Sequence, residues 1–177
     1  MMLPKTLPIS NSKVYGIGTD IVHLPRIARL LIRYPLELPG EIRNKKSFHR
    51  ISNKFMHEQE YSYLQSLNQD TPRDVNRIIK YIASVWASKE CFYKSLSNYV
   101  PKTELPPAQT IYTKLAYRTK DRDGKPLLQI DPSFINGNMK YTNFFNNYID
   151  PNLFQILLSI SHDKDYLIAF TCITNKV

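Results

Sequence analysis

The chain has 177 residues, 42% of them hydrophobic and 22% charged, which fits one domain with a sizeable core and excludes wholesale disorder. Its 24 Lys and Arg against 15 Asp and Glu leave a formal charge of +9, so acidic partners are expected: nucleic acid, an anionic membrane surface, a phosphorylated ligand or an acidic protein. The only cysteines, Cys91 and Cys172, form no C-x-x-C pair, which removes the usual support for a zinc site or a disulfide scaffold, and no apolar run is long enough for a membrane span.

Met1 to Lys13 carries lysines and no acid, a trait shared with transit peptides, and reads as an N-terminal arm before a domain spanning 14–177. Val14 to Val22 alternates as a strand, with Tyr15, Ile17, Thr19 and Ile21 on one face and Gly16, Gly18 and Asp20 on the other. From Pro25 the spacing becomes helical, with Leu24, Ile27, Leu30 and Leu31 as the apolar stripe and Pro35 and Pro39 ending it. Glu41 to Lys54 is polar and basic, a loop or short helix, and Glu58 to Leu67 is helical up to the turn at Asn68–Pro72. Arg73 to Leu96 is the longest helical pattern, with Asp70 or Thr71 as its N-cap.

After Pro101, Pro106 and Pro107, Thr110 to Thr119 alternates like a strand and turns through Asp121–Gly124 into Leu127–Ile130. Residues 136–152 are rich in Asn and read as an insertion loop that Phe144 and Phe145 could anchor. Phe154–Ser161 and Tyr166–Ile173 form a closing hairpin about a turn at His162–Asp165. Without regular βαβ alternation, the expected fold is α+β, one domain with a mainly antiparallel sheet packed on helices.

Four features could carry chemistry. Asp20 is an acid in an apolar strand, on a face that Gly16 and Gly18 clear for the close approach of a ligand or metal; capping the following helix is the competing role. Ala83, Ala87, Glu90 and Lys94 share one helix face, two small residues and then an acid and a base, which an ordinary exposed ion pair would also explain. Ser159-Ile160-Ser161-His162 offers donors to phosphate oxygens and lacks the G-x-S-x-G elbow of a serine nucleophile, while His23, His49 and His57 read as surface residues. Arg26, Arg29 and Arg33 line a single helix face with one sign of charge, opposite the apolar stripe, and suit an acidic partner.

Together these residues resemble a family. Gly16-Ile17-Gly18-Thr19-Asp20-Ile21-Val22, Trp86-Ala87-Ser88-Lys89-Glu90-Cys91-Phe92-Tyr93-Lys94, Asp123-Gly124-Lys125-Pro126 and Ser159-Ile160-Ser161-His162-Asp163 follow in order the motifs of holo-acyl-carrier-protein synthase, the small single-length class of 4′-phosphopantetheinyl transferase. The resemblance implies Mg²⁺-dependent transfer of phosphopantetheine from coenzyme A to a serine hydroxyl of an acidic apo acyl carrier protein, releasing adenosine 3′,5′-bisphosphate. It implies Asp20 and Glu90 as Mg²⁺ ligands, Glu90 and Lys94 as catalytic residues, Lys54, Lys94, Ser161 and His162 as coenzyme A contacts, and Arg26, Arg29 and Arg33 as the carrier-docking face. Either Glu90 or a water on the metal would take the serine proton.

The same resemblance implies a homotrimer with sites between neighbours, and a fungal mitochondrial form rather than a cytoplasmic one. The chain departs from the family pattern at His57, where threonine is usual, at Tyr99-Val100-Pro101, where a Gly-rich turn is frequent, and at the Asn-rich stretch, which replaces a shorter helical segment. The rival reading is a basic nucleic-acid-binding module, for which no RRM, KH, helix-turn-helix or zinc-finger pattern is present.

Overall fold

The computed structural model describes residues 13–37, 47–70, 72 and 74–176. The N-terminal arm before Lys13 and the candidate cap Thr71 lie outside them.

Strand β1 (Val14–His23) turns Gly16, Gly18 and Val22 inward and Ile17 and Ile21 outward. It pairs antiparallel with the last strand, β5 (Tyr166–Asn175), which pairs in turn with β4 (Phe154–Asp163), giving the order β1-β5-β4. A second antiparallel pair, β2 (Ala116–Lys120) and β3 (Pro126–Ile130), closes through a turn in which Asp121 accepts the amides of Asp123 and Lys125 and Gly124 takes a φ of 83°. The α+β class with antiparallel sheets is as the sequence predicts.

Helix α1 (Leu24–Arg33) follows β1 directly and buries Leu24 and Ile27. A single turn, α2 (His49–Ser52), leads to α3 (Glu58–Gln69) and then to α4 (Val75–Leu96), which crosses the inner faces of β1 and β5. Ile82, Phe92 and Leu96 of α4 are fully buried, each contributing about 1.5–3 kcal/mol by its removal from water. The inward glycines of β1 serve this contact. A Cβ on Gly16 would strike the Ser95 carbonyl oxygen and one on Gly18 that of Cys91, so the cleared face is filled by the backbone of α4 rather than by a ligand.

Several elements differ from expectation. Asp74, not Asp70, caps α4, accepting from the Arg77 amide at 3.0 Å, while Asp70 pairs with the Arg77 guanidinium. Residues 108–115 are helical rather than extended: α5 (Ala108–Thr110) runs into a π-helical turn at Ile111–Leu115, and the strand begins only at Ala116. Ile111 and Leu115, four apart, would share a face in a strand or a helix, but Tyr112 beside Ile111 is buried as well, which a helical turn allows and strict alternation would not.

The Asn-rich stretch is also helical, in α6 (Phe134–Gly137), a 3₁₀ turn at Met139–Tyr141 and α7 (Thr142–Tyr148), and Phe144 and Phe145 are buried anchors as anticipated. The Tyr99 hydroxyl fastens it by donating to the Tyr148 carbonyl at 2.6 Å. The final turn is tighter than predicted, narrowed to Lys164-Asp165 with Lys164 at φ 45°, so His162 and Asp163 belong to the strand. Both cysteines are free thiols, and burial pushes the Cys91 thiol up to about 12.

Candidate active site

Asp20 sits where β1 meets α4, its side chain 17% exposed. It does not cap α1: that helix starts after His23 with no side-chain cap. Instead Lys94 Nζ lies 2.8 Å from Asp20 Oδ1 and 3.0 Å from the Thr19 carbonyl oxygen. Glu90, one helical turn before Lys94, is half-buried and shares with Asp20 a cavity of about 220 Å³, walled by Val22, Arg26, Ile27 and Trp86. Two residues remote in sequence, an inward strand acid and a helix acid, thus converge on one cavity, with Lys94 paired to the first of them. The Tyr112 hydroxyl neighbours Glu90, and burial first, then the Glu90 carboxylate, drive its pKa upward, so it stays protonated and able to donate.

The basic stripe adjoins this cavity. Arg26, Arg29 and Arg33 are exposed on α1, and the Arg26 guanidinium lies over the Trp86 ring at 5.8 Å, joining the stripe to the carboxylates.

A second cavity, of about 390 Å³, lies on the other flank of α4 beneath the β4 edge. His162 lines it with Arg77, Lys80, Arg118 and Lys120, a cluster suited to phosphate groups. Four of these were not foreseen. Arg77 and Lys80 share a helix face with Tyr81 and Ser84, a spacing that is legible in retrospect, whereas Arg118 lies in a strand as predicted and nothing in its sequence context marked it as lining a cavity.

The remaining predicted contacts are not gathered with them. Ser161 lies opposite Ile168 on the outer face of the sheet, and alternation turns it away from His162. Lys54 is exposed just after α2 and lines neither cavity, although Ile51 of that helix does wall the carboxylate cavity. His57, expected at the surface, is buried: it caps α3 and its Nε2 lies 3.1 Å from Asp131 Oδ2.

Comparison with known proteins points the same way. Residues 16–171 match the family model of the 4'-phosphopantetheinyl transferase superfamily. Over 93% of its length the chain is 40% identical to the mitochondrial holo-[acyl-carrier-protein] synthase of Saccharomyces cerevisiae, covering 94% of that protein. The corresponding protein of Eremothecium gossypii is 33% identical over 97% of this chain and 88% of its own. Among solved structures, the holo-[acyl-carrier-protein] synthase of Neisseria meningitidis shares the fold with a TM-score of 0.58 at 20% identity, over 91% of this chain and 98% of that one. So does the Bacillus anthracis synthase in complex with CoA (3',5'-ADP), with a TM-score of 0.56 at 19% identity over 92% and 98%.

Proposed function

The chain belongs to the holo-acyl-carrier-protein synthase family of 4′-phosphopantetheinyl transferases, enzymes that move phosphopantetheine from coenzyme A to an apo acyl carrier protein, and we propose that the cavity holding Asp20 and Glu90, with Lys94 paired to Asp20, is where it does so. The observation that carries this is the meeting of Asp20 and Glu90 in one cavity across β1 and α4, with the Lys94 ammonium on Asp20. Family membership also displaces the nucleic-acid reading, since coenzyme phosphates and an acidic carrier account for the charge of +9.

The donor set fits Mg²⁺. Asp20 and Glu90 supply two carboxylates, and among the described residues no group of three or more acids, histidines or cysteines stands ready to form an all-protein cage. A hard cation that takes one or two carboxylates and completes its shell with water and phosphate oxygens suits such a site. Bound there, it would neutralise charge developing on the pyrophosphate.

The chain's own residues do the rest. Glu90, beside the Tyr112 hydroxyl, accepts the proton of the carrier serine as its oxygen attacks the phosphorus bearing pantetheine. The bond between that phosphorus and the bridging oxygen breaks, and adenosine 3′,5′-bisphosphate leaves with the oxygen. Lys94, whose ammonium already stands at the Asp20 carboxylate, donates to the departing phosphate. Arg26, Arg29 and Arg33 hold the acidic carrier beside the cavity mouth.

His162 with Arg77, Lys80, Arg118 and Lys120 binds coenzyme phosphate. That cluster and the carboxylates occupy roughly opposite flanks of α4, which supports a trimer in which one coenzyme lies between two chains, and Ser161 and Lys54 reach it only across such a junction. Similarity to mitochondrial synthases of fungi supports a mitochondrial location.

Incubation with Mg²⁺, coenzyme A and an apo carrier, followed by mass measurement of the carrier, tests the reading. The wild-type protein should add one phosphopantetheine, and Asp20→Ala and Glu90→Ala should stop the addition without altering the melting profile. Transfer that persists in both variants would take the reaction away from this cavity.

A further inference from the structure

Between the two cavities lies an ion pair that belongs to neither. Lys89 and Glu60 are 1% and 0% exposed, and Lys89 Nζ lies 3.0 Å from Glu60 Oε2. Both are fully engaged. Glu60 Oε2 also accepts the His57 amide at 2.8 Å, and its Oε1 accepts the Arg118 amide at 2.5 Å. Lys89 donates to the carbonyl of Tyr112 at 2.6 Å and to that of Ala116. Burying such a pair brings little net stability, because desolvation costs several kcal/mol per ion and well-packed apolar residues often serve as well. What the pair does determine is where two backbone segments sit.

Both segments feed a reacting or binding group. The residue that Glu60 holds, Arg118, lends its side chain to the basic cavity, and its buried Nε has no protein partner. The residue that Lys89 holds by its carbonyl, Tyr112, brings its hydroxyl beside Glu90, the next residue along α4 after Lys89 itself. Neighbouring residues of one helix thus face the two ends of Tyr112, Lys89 the carbonyl and Glu90 the hydroxyl. The π-helical turn at Ile111–Leu115, which replaces the predicted strand, is what presents Tyr112 to them.

We propose that Glu60 and Lys89 are positioning residues for the transfer: Glu60 fixes Arg118 for the coenzyme phosphates, and Lys89 fixes Tyr112 against Glu90. The proposal rests on the transferase reading and on coenzyme binding in the basic cavity.

Two double variants, both neutral at the core, separate the halves. Glu60→Gln/Lys89→Met keeps one oxygen for the Arg118 amide, gives up the acceptor of the His57 amide and frees the carbonyls of Tyr112 and Ala116 from the lysine. Its kcat should fall by about tenfold or more, the scale on which a misplaced catalytic group costs rate, while the Kd for adenosine 3′,5′-bisphosphate measured by calorimetry stays unchanged. Glu60→Met/Lys89→Met releases both segments, and its Kd should also rise about fivefold, the worth of one net hydrogen bond. A pair with a merely structural role would lower kcat and raise Kd together with a fall in the melting temperature, or change neither.

A cooperatively melting Glu60→Gln/Lys89→Met protein with unchanged kcat would overturn the proposal, and so would loss of the cooperative melt in both variants. Arg118→Ala tests the underlying reading separately. If it leaves the Kd unchanged, the basic cavity does not hold the coenzyme and the Glu60 half falls with it, whereas the kcat of the first variant still decides the Lys89 half.

Discussion

His57 closes the start of α3 with an imidazole nitrogen. Its Nδ1 accepts the Gln59 amide at 3.2 Å, which leaves Nε2 to carry the proton and donate to Asp131 Oδ2. The Glu60 carboxylate returns the favour by accepting the His57 amide, so His57-x-x-Glu60 is a capping box with a histidine in the place of a hydroxyl residue. Burial first, and then the charge of Lys89, hold the imidazole below its usual 6.5 against the pull of Asp131. Burial pushes the Asp131 carboxyl up, but the Ser133 hydroxyl and amide and His57 outweigh it and hold it below its usual 3.8.

A folded-state pKa below the unfolded one means that the unfolded chain takes up the proton first as pH falls. Stability from His57 is therefore full above 6.5 and is lost from there down toward the depressed folded value. The urea midpoint should drop between about pH 7.5 and about pH 5.5, the range in which histidine changes charge, and His57→Asn, a cap that does not titrate, should flatten that drop. An equal drop in the variant would assign the acid sensitivity to other groups. Asp20 stands out in the sequence because an acid breaks the apolar run of its strand, whereas Glu90 and Lys94 read locally as an ordinary ion pair and are singled out only by the family resemblance. The role of His57 does not stand out, because its partner lies 74 residues away and only the tertiary fold brings the two together.

At the scale of elements, α4 and β1 were readable almost to their ends, since long runs of one period leave little ambiguity. Residues 108–115 were not. Thr110 to Thr119 contains buried residues at a spacing that serves either period over so short a stretch, and the decisive partner, Lys89, comes from another helix. The Asn-rich stretch misled through composition: Asn disfavours helix in isolation, but Phe134, Phe144 and Phe145 bury enough surface to hold short helices in place.

The meaning of the glycines also changed. Gly16 and Gly18 fix the separation of β1 from α4, and with it the separation of Asp20 from Glu90. Gly18→Ala should destabilise the fold by about 1–3 kcal/mol in urea unfolding, the usual cost of overpacking a rigid contact, because the obstructing atoms are backbone and cannot swing aside. Residual transfer activity should fall further than the folded fraction does. A variant that unfolds at the wild-type midpoint would show that the helix can shift without cost.

At the scale of the whole molecule, the outer face of the sheet is unusual for a chain that stands alone. Ile17, Ile21, Ile168 and Phe170 are 53%, 62%, 44% and 43% exposed on adjacent strands, and Leu157 of β4 continues the patch at 46%. An apolar surface of this kind marks a contact. On one edge of the same sheet stands Asp20, and on the other stands His162, with β5 between them. If a ring of copies packs through this face, the acid of one chain meets the histidine of the next, and a site split in this way has a consequence that a self-contained site lacks. Asp20→Ala and His162→Ala proteins should each be nearly inactive alone. Mixed and allowed to exchange subunits, they should recover about a quarter of the wild-type activity, the chance that a head-to-tail junction joins the two intact halves. Phe170→Glu, which places a charge in the shared face, should yield monomers by light scattering and abolish the recovery. Mixtures no more active than their components, from proteins shown to exchange subunits, would place both residues in sites within single chains.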